Sequence, residues 1–255
     1  MAEPGNGTGA DESPSPWLRT GFVLAAAFVG FVAVIGGAVV ITSGGGDDGA
    51  TASVTPAGGA AEESADTGTD PETAADISCP ALSDHDQAVP ETAPAGVSWS
   101  LYDAVALPAS RTAGPAVAGK DVARCYAHTP VGALLASSQI SVRYLAAADW
   151  RSVTRTQTVG AGRDAYITDR TAAEKTAAPD EDSTAHGQIA GYRFVTYHDS
   201  TAVIDTVWRF PGGQMQVATT TVLWREGDWR LEFPAVPAAP TPVDSLAGYV
   251  QWGGV

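Results

Sequence analysis

Residues 188–234 read QIAGYRFVTYHDSTAVIDTVWRFPGGQMQVATTTVLWREGDWRLEFP, and their alternation decides the fold. Breaks at His-Asp-Ser, Pro-Gly-Gly and Glu-Gly divide the stretch into segments 188–198, 201–210, 214–225 and 228–234. Breaks of that length and composition are hairpin turns. If each turn closes tightly, Tyr192 and Phe194 pair with Thr206 and Ile204. Trp208 then faces Gln216, Val222 faces Leu231, and Trp224 faces Trp229. All of these project to one side, with Thr196 and Thr220 among them. The other side collects Arg193, Asp205, Arg209, Arg230 and Glu232, with Arg193 across from Asp205. A slip of one residue would scatter that sorting. The stretch therefore predicts a four-stranded antiparallel sheet with one aromatic face and one charged face.

The preceding residues have helical periodicity. Thr129-Pro130 supplies an N-cap followed by proline at the first helical position, and Val131, Leu134, Leu135, Val142 and Leu145 form one broad apolar face. Asp149 caps a second helix from Trp150, and a third runs through Tyr166 and Ile167 toward Lys175. Residues 179–187 are polar and read as a loop. Helices followed by a meander predict an α+β domain with the helices lying on one face of the sheet. Trp99 to Pro108 adds a short strand or covering segment. The tail from Leu246 to Trp252 is too apolar to hang free and should pack back on the domain.

Upstream of the domain, Phe22 to Ile41 is a run of twenty apolar or small residues without charge. At about 1.5 Å per residue this spans roughly the 30 Å core of a bilayer. Arg19 flanks one end, Asp47 and Asp48 the other, and no Lys or Arg follows until Arg111. The positive-inside rule then places residues 1–20 in the cytoplasm, a membrane-spanning helix over 21–43, and residues 79–255 outside, as an extracytoplasmic domain. The competing reading is a cleaved signal peptide with Ala50-Thr51-Ala52 as its cleavage site. It requires a shorter apolar run and a more basic start than this chain has. In both cases the domain lies outside.

The chain carries a net charge of -15, unevenly spread. Gly44 to Pro90 holds ten acidic residues and no Lys or Arg. Residues 44–78 lack aromatic side chains and are rich in Gly, Ala, Thr, Asp and Glu, which predicts a disordered acidic linker. That charge also argues against nucleic acid as a partner.

Cys79 and Cys125, the two cysteines, both fall on the outer side. In an oxidising compartment two thiols in one small domain more often pair than stay free. Pairing would stabilise the fold by roughly 3–4 kcal/mol on loop-entropy grounds, and two unrelated buried thiols are the alternative. His85, His128, His186 and His198 show no spacing for a metal site with one another or with the cysteines.

Several motifs resemble a set of uncharacterised actinobacterial single-pass membrane proteins found with conjugative elements. They are Trp99, Leu107-Pro108 with Gly114-Pro115, Tyr126-Ala-His-Thr-Pro130 running into Gly132-Ala-Leu-Leu135, and the strand region through Trp229. The order of elements is similar to the nuclear-transport-factor-2-like cone. Anchor, tether and such a domain together distantly resemble the VirB-type inner-membrane assembly subunit of type IV secretion. That resemblance implies a non-catalytic scaffold that binds other envelope proteins, commonly as an oligomer, and it supplies no catalytic or cofactor-binding residue.

The aromatic face permits one functional test on paper. It offers Tyr192, Thr206, Trp208 and Gln216 as candidate pocket lining, and no Asp, Glu, His or Cys. Acid–base catalysis needs a group of tunable pKa within reach of substrate. Asp149 and Asp164 on the helices are the remaining candidates for a catalytic acid, and a buried carboxylate within the domain would revive an isomerase- or dehydratase-like enzyme. No Walker loop, nucleophile elbow or dinucleotide fingerprint is present. A scaffold in an envelope complex of conjugation or secretion type is the expectation, and a small-ligand-binding module at the cell surface is the alternative.

Overall fold

The computed structural model describes residues 79–176 and 186–254. The chain forms β1 (Val97–Tyr102), β2 (Val105–Ser110), β3 (Val117–Ala118) and β4 (Ala123–Arg124) before α1 (Pro130–Ala146) and α2 (Trp150–Gln157). Then come β5 (Thr158–Val159), α3 (Arg163–Thr176), β6 (Gln188–His198), β7 (Thr201–Arg209), β8 (Met215–Arg225) and β9 (Asp228–Glu232). Two short strands, β10 (Thr241–Val243) and β11 (Val250–Gln251), end the chain. The expected membrane span over 21–43 and linker over 44–78 lie outside the described residues. Among the described residues no helix is long and apolar enough to cross a membrane.

The central pairings are those read from the alternation. Tyr192, Arg193 and Phe194 sit opposite Thr206, Asp205 and Ile204. Trp208 opposes Gln216, Val222 opposes Leu231, and Trp224 opposes Trp229. The Glu226-Gly227 turn has φ of 52° and 75°; two successive positive values suit the twist of a tight hairpin.

The expected fold class needs correction. The sheet is seven-stranded, in the order β11-β6-β7-β8-β9-β5 with β10 also on β8, and two further two-stranded sheets are formed by β1–β2 and β3–β4. The described protein is mostly sheet with three short helices, not helices laid on a four-stranded cone. The reason is local. The added strands β5, β10 and β11 are two or three residues long, too short to show a period. Their partners are distant in sequence, and β5 joins β9 in parallel.

Two register shifts in β6, at Ile189/Gly191 and Phe194/Thr196, change which side chains face the core. After the second, Thr196 pairs with Val203 and Tyr197 with Ala202. Thr196 therefore leaves the aromatic face and becomes exposed, while Tyr197 packs against the core. Val195 at the bulge is 51% exposed. An extra residue in one strand has this effect because side chains alternate with a period of two.

Helix α1 starts as read. Thr129 accepts a hydrogen bond from the Gly132 N–H at 3.1 Å, and Pro130 occupies the first turn. The helix is enclosed on more sides than an amphipathic surface helix. Gly132 through Ile140 are all buried; β7, β8 and β9 lie against the helix, and so does β2. Gln139 donates to the Pro108 carbonyl at 2.9 Å. Small side chains, Ala133, Ala136, Ser137 and Ser138, allow this approach. At Gly132 a Cβ would stand 2.0 Å from the Ala127 carbonyl oxygen, so any side chain there is excluded.

The outer face of the sheet is not simply charged. Asp205, Val207 and Val217 are buried there. Strand β10 lies on β8 and β11 on β6, with β7 between, so residues 244–249 cross over β7. Leu246 and Tyr249 come against Gly191, and the Arg193 guanidinium stacks 4.8 Å from the Tyr249 ring centroid. The tail packs back as expected: Trp252 is 5% exposed and meets Trp99 edge-on at 4.8 Å.

Candidate functional site

Cys79 and Cys125 form a disulfide, with 5.3 Å between Cα atoms. Cys125 has φ +68°, a left-handed conformation that costs a non-glycine residue energy. One consequence is visible. Successive N–H groups around a left-handed residue converge on a single anion, and the N–H groups of Cys125 and Tyr126 both reach Asp228, at 2.8 and 2.9 Å. The Trp229 N–H adds a third bond at 3.0 Å. Asp228 is 3% exposed; burial pushes its carboxyl above the ordinary range, against the opposing pull of the three N–H donors and Arg230. The Trp229 indole donates to the Ala127 carbonyl at 2.9 Å, so residues 125–127 are joined to β9 by side chain and backbone alike.

The two sulfurs and an Asp228 oxygen lie within 4.8 Å of one another. Because the sulfurs are bonded together and the carboxylate already accepts three N–H groups, this cluster is a structural node and not a ligand set. Asp228 is a buried carboxylate of the kind that would have favoured an enzyme, but it serves the backbone. Its position directly after Glu-Gly in a hairpin turn would ordinarily mark a solvated Asp, so no signal in the sequence announced it.

The two acidic candidates, Asp149 and Asp164, and the buried Asp205 each have a partner as well. Asp149 caps α2, accepting from the Ser152 N–H at 2.9 Å. Asp164 lies 3.3 Å from Arg163 with its side chain 86% exposed. Asp205 accepts from Arg193 at 2.5 Å and from the Thr219 hydroxyl at 2.6 Å. His128 stacks on Trp224 at 4.1 Å between centroids and bonds the Asp199 carbonyl.

The expected pocket lining is largely packed interior. Tyr192 is fully buried, donates to the Thr92 carbonyl at 2.9 Å, and burial pushes its hydroxyl up to about 12. Thr206 is buried. Trp208 packs against both apolar clusters. The Gln216 Oε1 atom is buried without a hydrogen-bond partner among the described residues. Two depressions, of about 410 and 400 Å³, share Ile189, Ala190 and Arg209. Trp99 and Trp252 wall the first, and His186 and Phe210 the second; none of the four expected residues lines either. Arg209 touches the Met215 sulfur at 3.9 Å, and no described carboxylate pairs with it. The His186 Nδ1 atom is buried and unpartnered. No Asp, Glu or Cys lines these depressions.

Arg143 is a further residue the sequence did not single out. It is 7% exposed, donates to Gln139 at 2.8 Å and to the carbonyls of Lys120 and Asp121 at 3.2 and 3.0 Å. Its guanidinium stacks 4.1 Å from the Tyr102 centroid. It thereby fastens the β3–β4 loop and the β1–β2 hairpin to α1.

No curated protein and no solved structure matches the chain. One family model matches residues 60–251, which takes in the disulfide, the node at Asp228, both depressions except Gly253 and Trp252, and most of the tail. The chain therefore belongs to the family described as Domain of unknown function (DUF8175).

Proposed function

We propose that this is a membrane-anchored, extracytoplasmic, non-catalytic module that binds other proteins of a cell-envelope complex. The observation that carries the reading is the Cys79–Cys125 disulfide, a bond that persists in oxidising compartments outside the cytoplasm. The uncharged run Phe22–Ile41 supplies the anchor. Support for the non-catalytic half comes from the buried ionisable groups, since Asp228 and Asp205 are committed to backbone and side-chain partners. The link to a conjugation- or secretion-type machine rests on the sequence resemblance alone and enters as the partner class to look for.

The test has two parts. A reporter fused after Val255 that works only outside the cytoplasm reads the sidedness; activity of a cytosol-only reporter would remove the anchored reading. Crosslinking in the native membrane with mass spectrometry reads the partners. Recovery of the chain with no envelope protein attached would count against the assembly role.

The two depressions that meet at Arg209 favour a second reading, a module for a small aromatic anion. Saturable binding of anilinonaphthalene sulfonate by the wild type, weakened about tenfold in Arg209→Gln, would support it. Equal binding by both would remove it.

A further inference from the structure

Strand β1 has one partner and one free edge. It pairs with β2 across Asp103-Ala104, Tyr102 facing Val105, Leu101 facing Ala106, Trp99 facing Pro108 and Val97 facing Ser110. On β2 the Ala106 N–H goes to the Gln188 side chain at 3.0 Å, and the Pro108 carbonyl accepts from Gln139 at 2.9 Å. Those two residues therefore turn their backbone groups away from β1. In an antiparallel ladder the residues opposite them do likewise. Val97, Trp99 and Leu101 thus direct their N–H and C=O groups outward, and no described residue bonds to them.

An open edge of this kind is normally protected by a charge, a proline, a bulge or a cover. The strand VSWSLY has no charge and no proline, its register is unbroken, and Leu101 is 71% exposed.

We propose that β1 pairs antiparallel with β1 of a second copy of this chain, Trp99 opposite its symmetry mate, so that two hairpins join into one four-stranded sheet. The strand is self-complementary in this register. The outward groups of Val97, Trp99 and Leu101 meet those of Leu101, Trp99 and Val97 in the second copy, so every outward N–H and C=O finds a partner. On one face Val97 lies against Leu101, and on the other Ser98 lies against Ser100. A shift by one residue sets outward groups against inward ones and forms no ladder, and a shift by two leaves one residue unpaired. The two-fold axis closes the assembly at two copies. The inference stands on β1 alone and is independent of the envelope-complex reading.

The test uses the full chain in detergent micelles. Ser98, Ser100 and Leu101 are exposed; substitution there removes only the 3.3 Å bond from the Ser98 hydroxyl to the Ala109 carbonyl and leaves the β1–β2 backbone ladder in place. Sedimentation should show a dimer for the wild type, and Leu101→Lys should raise the dissociation midpoint about tenfold or more. Mixed Ser98→Cys and Ser100→Cys chains should join covalently on oxidation, each variant alone far less. A wild type that stays monomeric overturns the proposal. So does a dimer indifferent to Leu101→Lys, or one in which the mixed cysteines do not join. Either failure leaves the sidedness and crosslinking results untouched.

Discussion

Replacing Asp228 with Asn changes one atom and tests whether the buried carboxylate is a structural node. In the wild type Oδ1 accepts from the N–H groups of Tyr126 and Trp229, and Oδ2 accepts from Cys125. Asn keeps one acceptor oxygen, which can retain the Tyr126 and Trp229 bonds. Its amide nitrogen then confronts the Cys125 N–H, donor against donor, at a site 3% exposed. Leaving a buried donor unsatisfied costs about 1–3 kcal/mol, and the two surviving bonds lose their charge assistance. The expected loss is about 2–3 kcal/mol, a large part of the roughly 5–15 kcal/mol that holds a domain together. A second signature lies in the pH dependence. Burial raises the Asp228 pKa in the folded protein, so the folded state holds the proton more tightly than the unfolded state. Its stabilising contribution is present at acid pH and is lost as pH rises from the ordinary carboxylate range through the raised folded value. Urea unfolding followed by tryptophan fluorescence at several pH values measures both effects. A Asp228→Asn variant within 0.5 kcal/mol of wild type (about the scatter of a surface substitution), or one that keeps the acid-side slope, would refute the reasoning.

Three more outcomes are expected. Cys79→Ser with Cys125→Ser should lower stability by about 3–4 kcal/mol, read by urea unfolding, and a reducing agent should produce the same loss in the wild type and none in the variant. Arg143→Lys should cost about 2–3 kcal/mol despite keeping the charge, because an ammonium cannot stack on Tyr102 and reach both Gln139 and the loop carbonyls; a change in thermal midpoint below about 2 °C would contradict this. Gly132→Ala places a methyl group 2.0 Å from the Ala127 oxygen. It should destabilise by about 3 kcal/mol or more, and unchanged unfolding would mean that the 127–132 turn relaxes freely.

What the sequence disclosed and what it hid follow from one cause. The strands β6 to β9 are long enough for a period of two to sort their side chains, and their turns are short, so Arg193 could be set opposite Asp205 from the sequence alone. The capped starts of α1 and α2 at Thr129 and Asp149 were legible because capping is a local hydrogen bond. Pairing between residues remote in sequence leaves no such trace. Thr158 meets Leu231, and Val250 meets Tyr192, through two-residue strands that look like loop. The bulge at Val195 is one surplus residue in a run that otherwise alternates, and it moved Thr196 off the aromatic face. The placement of the candidate pocket residues has a related reason. A face that alternates cleanly is one that packs well, and Tyr192 and Thr206 were buried by what covers them.

The disulfide, the node at Asp228 and the tail together determine how the ends of the domain are held. Cys79 lies upstream of β1, and its bond to Cys125 passes by the Asp228 hydrogen bonds into the β8–β9 hairpin. At the other end, residues 244–249 cross over β7, β11 pairs with β6, and Trp252 closes against Trp99 and Tyr192. If the chain is anchored upstream, a pull on the tether passes through a covalent bond to Cys125 and from there, by the Asp228 hydrogen bonds, to the central sheet. It need not first peel away residues 80–96, whose hold includes the Tyr192 hydroxyl on the Thr92 carbonyl. Without the disulfide the same pull would load those weaker contacts in sequence. The bond between Cys79 and Cys125 thus matters more to a tethered domain than its equilibrium stabilisation indicates, and that difference is measurable. Under force applied from the N-terminal side, reduction should lower the unfolding force, while force applied between two points within β6 to β9 should reveal a much smaller change.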